Sequence, residues 1–321
     1  MDLNFELTQI LLDAHFMLGK LEALLETHQE TKLFHFNYLR KEAVLAVQLA
    51  GAQVSLEDLL LYELQIEPKK KPKAVRKASN YVRSLATTLT KLKQNRTLSQ
   101  ELFLGLFEAW NESPTSCSHQ ASLQQQLSLS LETLFHSKHH PFIKAALAYS
   151  EVLQGLGNLP AQAPLASLCC SLFFFINGLV KEPVLFLSLY FRSFRREYER
   201  VLKKGAKDST PEDWILFFAK SVCKITYELI ENIQQLASIF NQDKDLIQTL
   251  GKLEPSAHLV LEAFAYRPIA NTTYLHSKTG ITHATINRVL VELERLDIIK
   301  EMTGQKRARI FCYSRHMELL S

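Results

Sequence analysis

The sequence predicts a mainly α-helical protein that ends in a small module of three short helices and a β-hairpin. Three observations predict this fold class. Glycine and proline number only 10 each among 321 residues, which is few for a loop-rich or all-β protein. Apolar residues recur at helical spacing along most of the chain. After about residue 241 the pattern changes to short segments bounded by capping residues. At roughly 150 residues per domain, the length allows two domains, or three when one is small.

The N-terminal region, residues 5–62, is predicted to be helical. A second helix is predicted over residues 36–50. Ser55, followed by Glu57 and Asp58, is typical of an N-cap with acids in the first turn, so a third helix is expected to begin there. The first helix has one apolar stripe, formed by Leu7, Ile10, Leu11, Ala14, Met17, Leu18 and Leu21.

A charge-free stretch over residues 152–180 could in principle be a membrane span. Its apolar second half, residues 165–180, is shorter than the roughly 20 apolar residues that a span needs. Glycine, asparagine and proline interrupt the first half, from Gly155 to Pro164. The pattern therefore favours a loop followed by a fully buried helix over a membrane anchor.

A long amphipathic helix is predicted over residues 214–240, whose apolar face is either core or a surface for a partner helix. Residues 241–255 are polar and contain Gly251 and Pro255, which predicts a linker. Residues 113–130 are rich in serine and glutamine, which predicts a loop leading into another helix. The apolar face of the long helix comprises Trp214, Phe218, Val222, Ile225, Leu229, Ile233, Leu236 and Phe240.

Capping and turn residues predict where the helices and strands of the C-terminal module begin and end. A short helix is predicted over residues 255–265. Asn271 caps a second helix that ends near Lys278, and Gly280 makes the turn. Thr282 caps a third helix, and two short strands follow around a turn at residues 303–304. Three helices followed by a hairpin are the layout of a winged helix-turn-helix. The buried stripe of the third helix is Ile286, Val289, Leu290, Leu293 and Leu296.

Charge and cysteine content limit the function classes. A net charge of +4 is too small for a polycationic protein, so any nucleic-acid role must rest on a local patch. From Pro255 onward, nine basic and six acidic residues give a net charge of +3, which is nearly all of the chain's excess positive charge. Five cysteines without a Cys-x-x-Cys pair favour neither a disulfide framework nor a zinc site, and a reducing, cytoplasmic setting is expected. The N-terminal segment MDLNFELTQ carries two acids and no base, so no secretory signal is expected.

Two charged clusters leave alternatives open. Residues 67–77 hold six basic residues around Pro68 and Pro72, which is either a targeting or nucleic-acid patch or, as we favour, a solvated loop. The histidines of residues 136–140 are either metal ligands or a solvated helix end. Because no Cys, Asp or Glu stands beside them, the sequence favours the helix end and no metal site.

Several blocks resemble Fic-family (Fido-domain) proteins, in the family's order. The stretch FNYLRKEAVLAVQLAGAQVSLEDLLLYE, residues 36–63, is similar to the family's N-terminal helical domain. HPFIKAALAYSEVL (140–153), GLVKEPVLFLSLYFRSFRREYERVL (178–202) and a Trp-x-x-Phe-Phe pattern at Trp214 are similar to the core domain. The resemblance implies a Fic N-terminal domain over residues 1–110, a degenerate Fic core over 111–245 and a winged helix over 255–321.

The family's chemistry is the transfer of AMP from ATP to a hydroxyl side chain, with Mg²⁺. Its loop reads His-Pro-Phe-x-Asp-Gly-Asn-Gly-Arg-x-Gly-Arg. The His-Pro-Phe at residues 140–142 lacks the acid, glycines and arginines that should follow, and the alignment instead places the loop on residues 156–167. There the general base is replaced by Leu156, the metal-binding acid by Pro160, and the asparagine by Gln162. The glycines become Ala161, Ala163 and Ala166, and the arginines become Pro164 and Ser167.

These replacements remove the base, the metal ligand and the phosphate clamps. The acid of the family's inhibitory helix is replaced by Ala50, and residues 113–130 are too short for its β-hairpin flap. The sequence therefore predicts a pseudoenzyme that needs no cofactor. We expect a DNA-binding regulator or scaffold, with a non-standard adenylyltransferase and a pure protein-interaction module as alternatives. Duplex DNA or a protein is the expected partner, a membrane is not, and the resemblance is compatible with a homodimer.

The third helix of the C-terminal module supplies the candidate DNA-binding residues. With its apolar stripe facing the core, the helical period turns the polar residues near its N-terminus outward, where a recognition helix meets base edges. Basic residues of the wing are expected to contact phosphates. The candidates are His283, Thr285, Asn287 and Arg288 on the helix, and Lys306, Arg307 and Arg309 on the wing.

Overall fold

The computed structural model describes residues 5–27, 31–64, 73–94, 97–110, 118–157, 159–204 and 211–320. Within these residues the chain is mainly α-helical, as the sequence predicts, with one small sheet. The helices are α1 (Phe5–Thr27), α2 (Thr31–Leu49), α3 (Leu56–Glu63), α4 (Lys73–Gln94), α5 (Gln100–Trp110), α6 (Ser118–His136), α7 (Pro141–Gly155), α8 (Leu159–Ile176), α9 (Leu187–Ser193), α10 (Arg195–Lys204), α11 (Pro211–Gln248), α12 (Glu254–Tyr266), α13 (Thr272–Thr279), α14 (His283–Arg295) and α15 (Ser314–Leu320). The strands are β1 (Ile269–Asn271), β2 (Lys300–Glu301) and β3 (Ile310–Cys312).

Two of the predicted loops lie partly outside the described residues. Residues 67–72 of the basic segment and residues 113–117 of the Ser/Gln-rich segment are among those not described. The rest of the basic segment, from Lys73 onward, belongs to α4. The rest of the Ser/Gln-rich segment belongs to α6, so it is helical earlier than the sequence predicts.

The chain forms two compact units. The first comprises residues 1–23, 39–54 and 72–228, and the second comprises residues 24–38, 55–71 and 229–321. Helix α11 contributes residues to both units.

Three phenylalanine rings join α7, α8 and α11 in the core of the first unit. The rings of Phe142 and Phe174 lie 5.9 Å apart, those of Phe142 and Phe218 lie 5.6 Å apart, and those of Phe174 and Phe218 lie 6.0 Å apart. Beside them, the indole of Trp214 stacks on Tyr149 and donates a hydrogen bond of 2.7 Å to the carbonyl of Ala146. These contacts hold α7, α8 and α11 together in one core.

Helix α8 is the buried helix that the sequence predicts, but it begins earlier. It starts at Leu159, so the expected loop is limited to a short turn and Pro164 lies inside the helix. As the sixth residue of the helix, Pro164 removes one backbone hydrogen bond, and the buried apolar residues that follow it favour the helix in spite of this loss. None of the described helices combines the length and apolarity required to cross a bilayer.

A polar cluster lies within this apolar core. The carboxyl of Glu42, on α2, accepts hydrogen bonds from the hydroxyls of Ser167 and Ser188 and, at 3.2 Å, from the backbone N–H of Ser188. Glu42 is 2% exposed, and this burial raises the pKa of its carboxyl to about 7 despite the three donors. The cluster ties α2 to α8 and to the start of α9.

The second unit contains the C-terminal module, built in the order α12, β1, α13, α14, β2, β3, α15. The three strands form an antiparallel sheet in the order β1-β3-β2, with Ala270 opposite Phe311 and Glu301 also opposite Phe311. As predicted, Asn271 caps α13, Thr282 caps α14 and Gly280 ends α13 with a φ of 72°. The predicted apolar stripe of α14 is buried from Ile286 to Leu293.

Three expectations for this region are wrong. The predicted linker is helical as far as Gln248, and a 3₁₀ turn connects it directly to α12. The cause is a long-range anchor, because the buried carboxylate of Asp243 accepts hydrogen bonds from Tyr313 and Arg315. The connection between the last two strands runs over residues 302–309 rather than a tight turn at 303–304, and the sequence analysis missed both β1 and α15.

We predict that Phe174→Asp prevents folding. The substitution places an unpaired charge among the three core rings, which costs several kcal/mol and consumes most of the roughly 5–15 kcal/mol by which domains are stable. Phe16→Asp on α1 is the matched control, because Phe16 is 72% exposed and its replacement is expected to change stability by less than about 0.5 kcal/mol. Urea unfolding followed by circular dichroism measures both, and equal stability of the two variants would contradict this account of the core.

We also predict that Glu42 makes stability depend on pH. Below the ordinary pKa of 4.5 the carboxyl is protonated in both states. As the pH rises to about 7, the unfolded state ionises first, so the stability that the raised pKa provides is lost, by roughly 3 kcal/mol in total. Glu42→Gln keeps the shape and removes the titrating group, and its amide oxygen accepts from the two serine hydroxyls.

The measurement is the free energy of unfolding of wild type and Glu42→Gln at pH values from 4.5 to 8. The difference between them should change by about 3 kcal/mol across this window. Glu197→Gln, an exposed carboxylate on α10, is the control and should leave the pH dependence as in wild type. Parallel curves for wild type and Glu42→Gln would show that Glu42 is not the titrating group.

Candidate nucleic-acid interface

Helix α14 begins with a well-formed cap. The hydroxyl of Thr282 accepts a hydrogen bond of 3.3 Å from the backbone N–H of Thr285, and the two threonine hydroxyls lie 3.1 Å apart. The hydroxyl of Thr285 is therefore engaged by the cap, and its side chain is half-buried. The cap leaves the N-terminal turn of α14 ordered and its outer face open.

The other candidate residues of α14 lie on that outer face. His283, Asn287 and Arg288 are exposed, whereas the neighbouring Ile286 and Val289 are buried. The imidazole of His283 packs against that of His276 on α13, with 4.5 Å between ring centroids. The structure thus presents an amide and a guanidinium on adjacent positions, with an imidazole one turn before them.

The connection between β2 and β3 is organised by a residue that the sequence analysis did not single out. The carboxylate of Glu301 accepts hydrogen bonds from the backbone N–H groups of Thr303, at 2.9 Å, and Gly304, at 2.7 Å. These bonds, with that of the Thr303 hydroxyl, lower the pKa of the Glu301 carboxyl. An acid two and three residues before Thr-Gly was the available signal, because such side chains cap turns.

The basic residues of this connection differ in their surroundings. Lys306 and Arg307 are exposed, and Ala308 after them has a φ of 54°. Arg309 is half-buried, with its guanidinium over the ring of Phe311 at 5.1 Å from the centroid. Lys306 and Arg307 are therefore free to contact a ligand, whereas Arg309 is already held against the sheet.

Acidic residues on α14 lie towards its other end. Glu292 pairs with Arg295 at 2.8 Å, and Glu294 accepts a hydrogen bond from the backbone N–H of Glu301 at 3.4 Å. The N-terminal half of α14 carries no carboxylate. The helix therefore offers a cationic and amide-bearing end for a polyanion, and its first carboxylate, Glu292, lies about one turn beyond Arg288.

The segment that aligns with the family's catalytic loop has become part of the core. Leu156 is the C-cap of α7, and residues 159–167 form the first half of α8. Ala163, Pro164, Ala166 and Ser167 are buried, and Ser167 donates its hydroxyl to Glu42. Gln162 is half-buried, while Pro160 and Ala161 belong to α8 but their side chains lie outside the described residues. Residues 156–167 include no carboxylate and no cation, so they do not fit magnesium or a triphosphate.

The discarded His-Pro-Phe segment has a structural role. Nδ1 of His140 accepts a hydrogen bond of 3.3 Å from the backbone N–H of Phe142, which caps α7. Burial and the nearby His15 lower the pKa of His140. No cluster of three or more His, Cys, Asp or Glu suited to a metal ion occurs among the described residues.

Comparisons with known proteins find a family match for the N-terminal region and a structural match for nearly the whole chain. Residues 8–90 match the model of the Fic/DOC family N-terminal region. The chain is similar in structure to a Fic family protein from Desulfovibrio desulfuricans G20, with a TM-score of 0.57 and 13% sequence identity, over 98% of this chain and 97% of that one. No curated protein matches the sequence. At this identity the structural match shows the fold alone. The chain therefore matches the Fic/DOC family in sequence over its N-terminal region, residues 8–90, and has the fold of a Fic family protein along nearly its whole length.

Proposed function

We propose that this protein is a non-catalytic member of the Fic family that binds duplex DNA through a winged helix-turn-helix, as a regulator or scaffold. The observation that carries the proposal is the exposed N-terminal end of α14, with Asn287 and Arg288 next to each other and no carboxylate in that half of the helix. The order α12, β1, α13, α14, β2, β3 supports it, because this is the layout of winged helices.

Each exposed group fits a separate part of the DNA surface. Asparagine reads adenine and arginine reads guanine through paired hydrogen bonds in the major groove, so Asn287 and Arg288 are assigned to base edges. Lys306 and Arg307 on the connection between β2 and β3 are assigned to phosphates, which position the protein without reading sequence. His283 lies at the first position of α14, where backbone N–H groups also favour a phosphate.

The proposed loss of catalysis rests on the first half of α8. AMP transfer from ATP requires a base, a metal ligand and cations for the phosphates. In this chain the corresponding positions are apolar or neutral, and those described are mostly buried. Building a triphosphate site there requires removing the core contacts that α8 makes.

A second candidate function is protein binding by the same module. Val291 on α14 is 52% exposed and Met302, just after β2, is 38% exposed. Exposed apolar side chains beside a polar helix face are typical of protein interfaces, whose centres exclude water. Protein binding would use the same fold as DNA binding, but its affinity would depend less on salt concentration than the affinity for DNA.

We predict that the protein transfers no AMP. Incubation of the full chain with labelled ATP, Mg²⁺ or Mn²⁺ and cell lysate should give no labelled band above a boiled control, because residues 156–167 supply no catalytic group. A strong band that disappears when His139 and His140 are replaced would instead support the His-Pro-Phe segment as an active loop.

We predict that Arg288→Ala weakens binding to a specific DNA site by about 1–3 kcal/mol, because a bidentate contact to a base is lost. Replacing Lys306, Arg307 and Arg309 together should weaken binding to all sequences alike. Fluorescence anisotropy with genomic DNA fragments measures both, and log affinity should fall with log salt by about 0.9 for each phosphate contacted.

Arg295→Ala is the matched control for this experiment. It removes the same side chain from the same helix, but at the C-terminal end, where Arg295 is paired with Glu292. Affinity for DNA should change by less than about 0.5 kcal/mol. Affinity that ignores both salt and the triple replacement would favour the protein-binding alternative.

A further inference from the structure

A groove of about 870 Å³ lies in the first unit, outside every segment discussed so far. It is bounded by the outer face of α4 and the first half of α5, and its volume is within the range of small-molecule sites. Its lining includes hydroxyl, cationic, carboxylate and leucine side chains, a mixture that differs from the apolar core.

The α4 side of the groove is one continuous face of the helix. Arg83, Ser84, Thr87, Thr88 and Lys91 line it, at the spacing i, i+1, i+4, i+5 and i+8 that places residues on one side of an α-helix. The opposite side of α4 is apolar and buried in the core. The packing of α4 in the core therefore uses the apolar side of the helix and not the polar residues that line the groove.

Two hydroxyls form the floor. Ser84 is 7% exposed and Thr88 is 8% exposed, and both line the groove. Neither hydroxyl is among the enclosed polar atoms that lack a partner, and both border the groove, so both are open to whatever fills it. Hydroxyls that line a groove in this way can exchange water for the polar groups of a ligand, which favours a polar occupant.

Charged groups stand at the rim. Arg83 and Lys91 lie eight residues apart, about 12 Å along the helix axis. The guanidinium of Arg83 also donates a hydrogen bond to the side-chain oxygen of Asn80, one turn earlier, which holds the Arg83 side chain against the helix. Glu101 faces the groove from α5, where Ser99 caps the helix by accepting from the N–H of Leu102 at 3.2 Å.

We propose that this groove binds a phosphorylated sugar or polyol. Arginine and lysine at the rim suit phosphate oxygens, and the serine and threonine hydroxyls suit the hydroxyl groups of a sugar. Glu101 fits the same ligand, because a carboxylate accepts hydrogen bonds from sugar hydroxyls while it disfavours a bare anion. Leu102 and Leu106 form an apolar wall for the carbon skeleton.

The α5 side also provides room for a ligand at the backbone. A Cβ atom built on Gly105 meets no atom within 4 Å, so the helix surface is open there. Gly105 lies in the interior of α5, where glycine is about 1 kcal/mol less favourable than alanine. Gly105→Leu therefore fills the groove while it is expected to preserve the helix.

The test is isothermal titration of the full chain with glucose 6-phosphate, glucose and inorganic phosphate at constant ionic strength. Glucose 6-phosphate should bind saturably and at least about tenfold more tightly than glucose or phosphate alone. Replacing Arg83 and Lys91 with glutamine should weaken binding by on the order of tenfold or more, as should Gly105→Leu. Lys93→Gln is the matched control, since it removes one cation from the same helix outside the groove.

A further ligand and a further variant distinguish a free sugar phosphate from a nucleotide as the natural ligand. AMP carries a ribose phosphate, so tighter binding of AMP than of glucose 6-phosphate identifies a nucleotide as the source, and the reverse identifies a free sugar phosphate. Replacing Ser84 and Thr88 with alanine should weaken binding of either ligand. The proposal is overturned by absence of saturable binding to the wild type, by equal affinity for glucose, or by binding that survives the Arg83, Lys91 and Gly105 substitutions unchanged.

Discussion

The burial of α8 is the constraint on which the first unit depends. This helix carries no charge, and its ring at Phe174 contacts rings from α7 and α11 at once. A polar contact that it makes with α2, from Ser167 to Glu42, is enclosed by the same core. A helix held in this way cannot present charged groups to a nucleotide without losing the packing that stabilises the unit. We therefore attribute the proposed loss of catalysis to burial of the segment that we align with the family's catalytic loop.

The sequence predicts well those features that local chemistry decides. Caps at Ser55, Asn271 and Thr282 are all present, and the left-handed turn lies at Gly280, because each depends on residues within one turn of the helix. Features that depend on distant partners were not predictable. Residues 241–248 look like a linker locally, yet they are helical because Asp243 is bonded to Tyr313, seventy residues later.

At the candidate nucleic-acid interface, too, the sequence predicts the features that depend on nearby residues and misses those that depend on distant ones. Helical period alone places Asn287 and Arg288 on an exposed face and Ile286 in the core, as the structure has them. The helical period does not show which side chains already contact other residues of the protein. The structure adds that the guanidinium of Arg309 lies over the ring of Phe311. The role of Glu301 was missed because capping of a turn by a preceding acid depends on the backbone path, which sequence spacing does not specify.

Burial also decides which ionisable groups are available to a partner. Glu42 and Asp243 are enclosed, and their carboxylates are bonded to neighbouring side chains. His316 is buried as well, and this burial lowers the pKa of its imidazole to about 3, so it stays neutral at physiological pH. Groups of this kind stabilise the protein but cannot meet an external ligand. The cations that we assign to ligands stand on outer faces, on α4 in the first unit and on α14 and the following connection in the second. Recognition at these surfaces, rather than chemistry in the core, is therefore what this arrangement of charge favours.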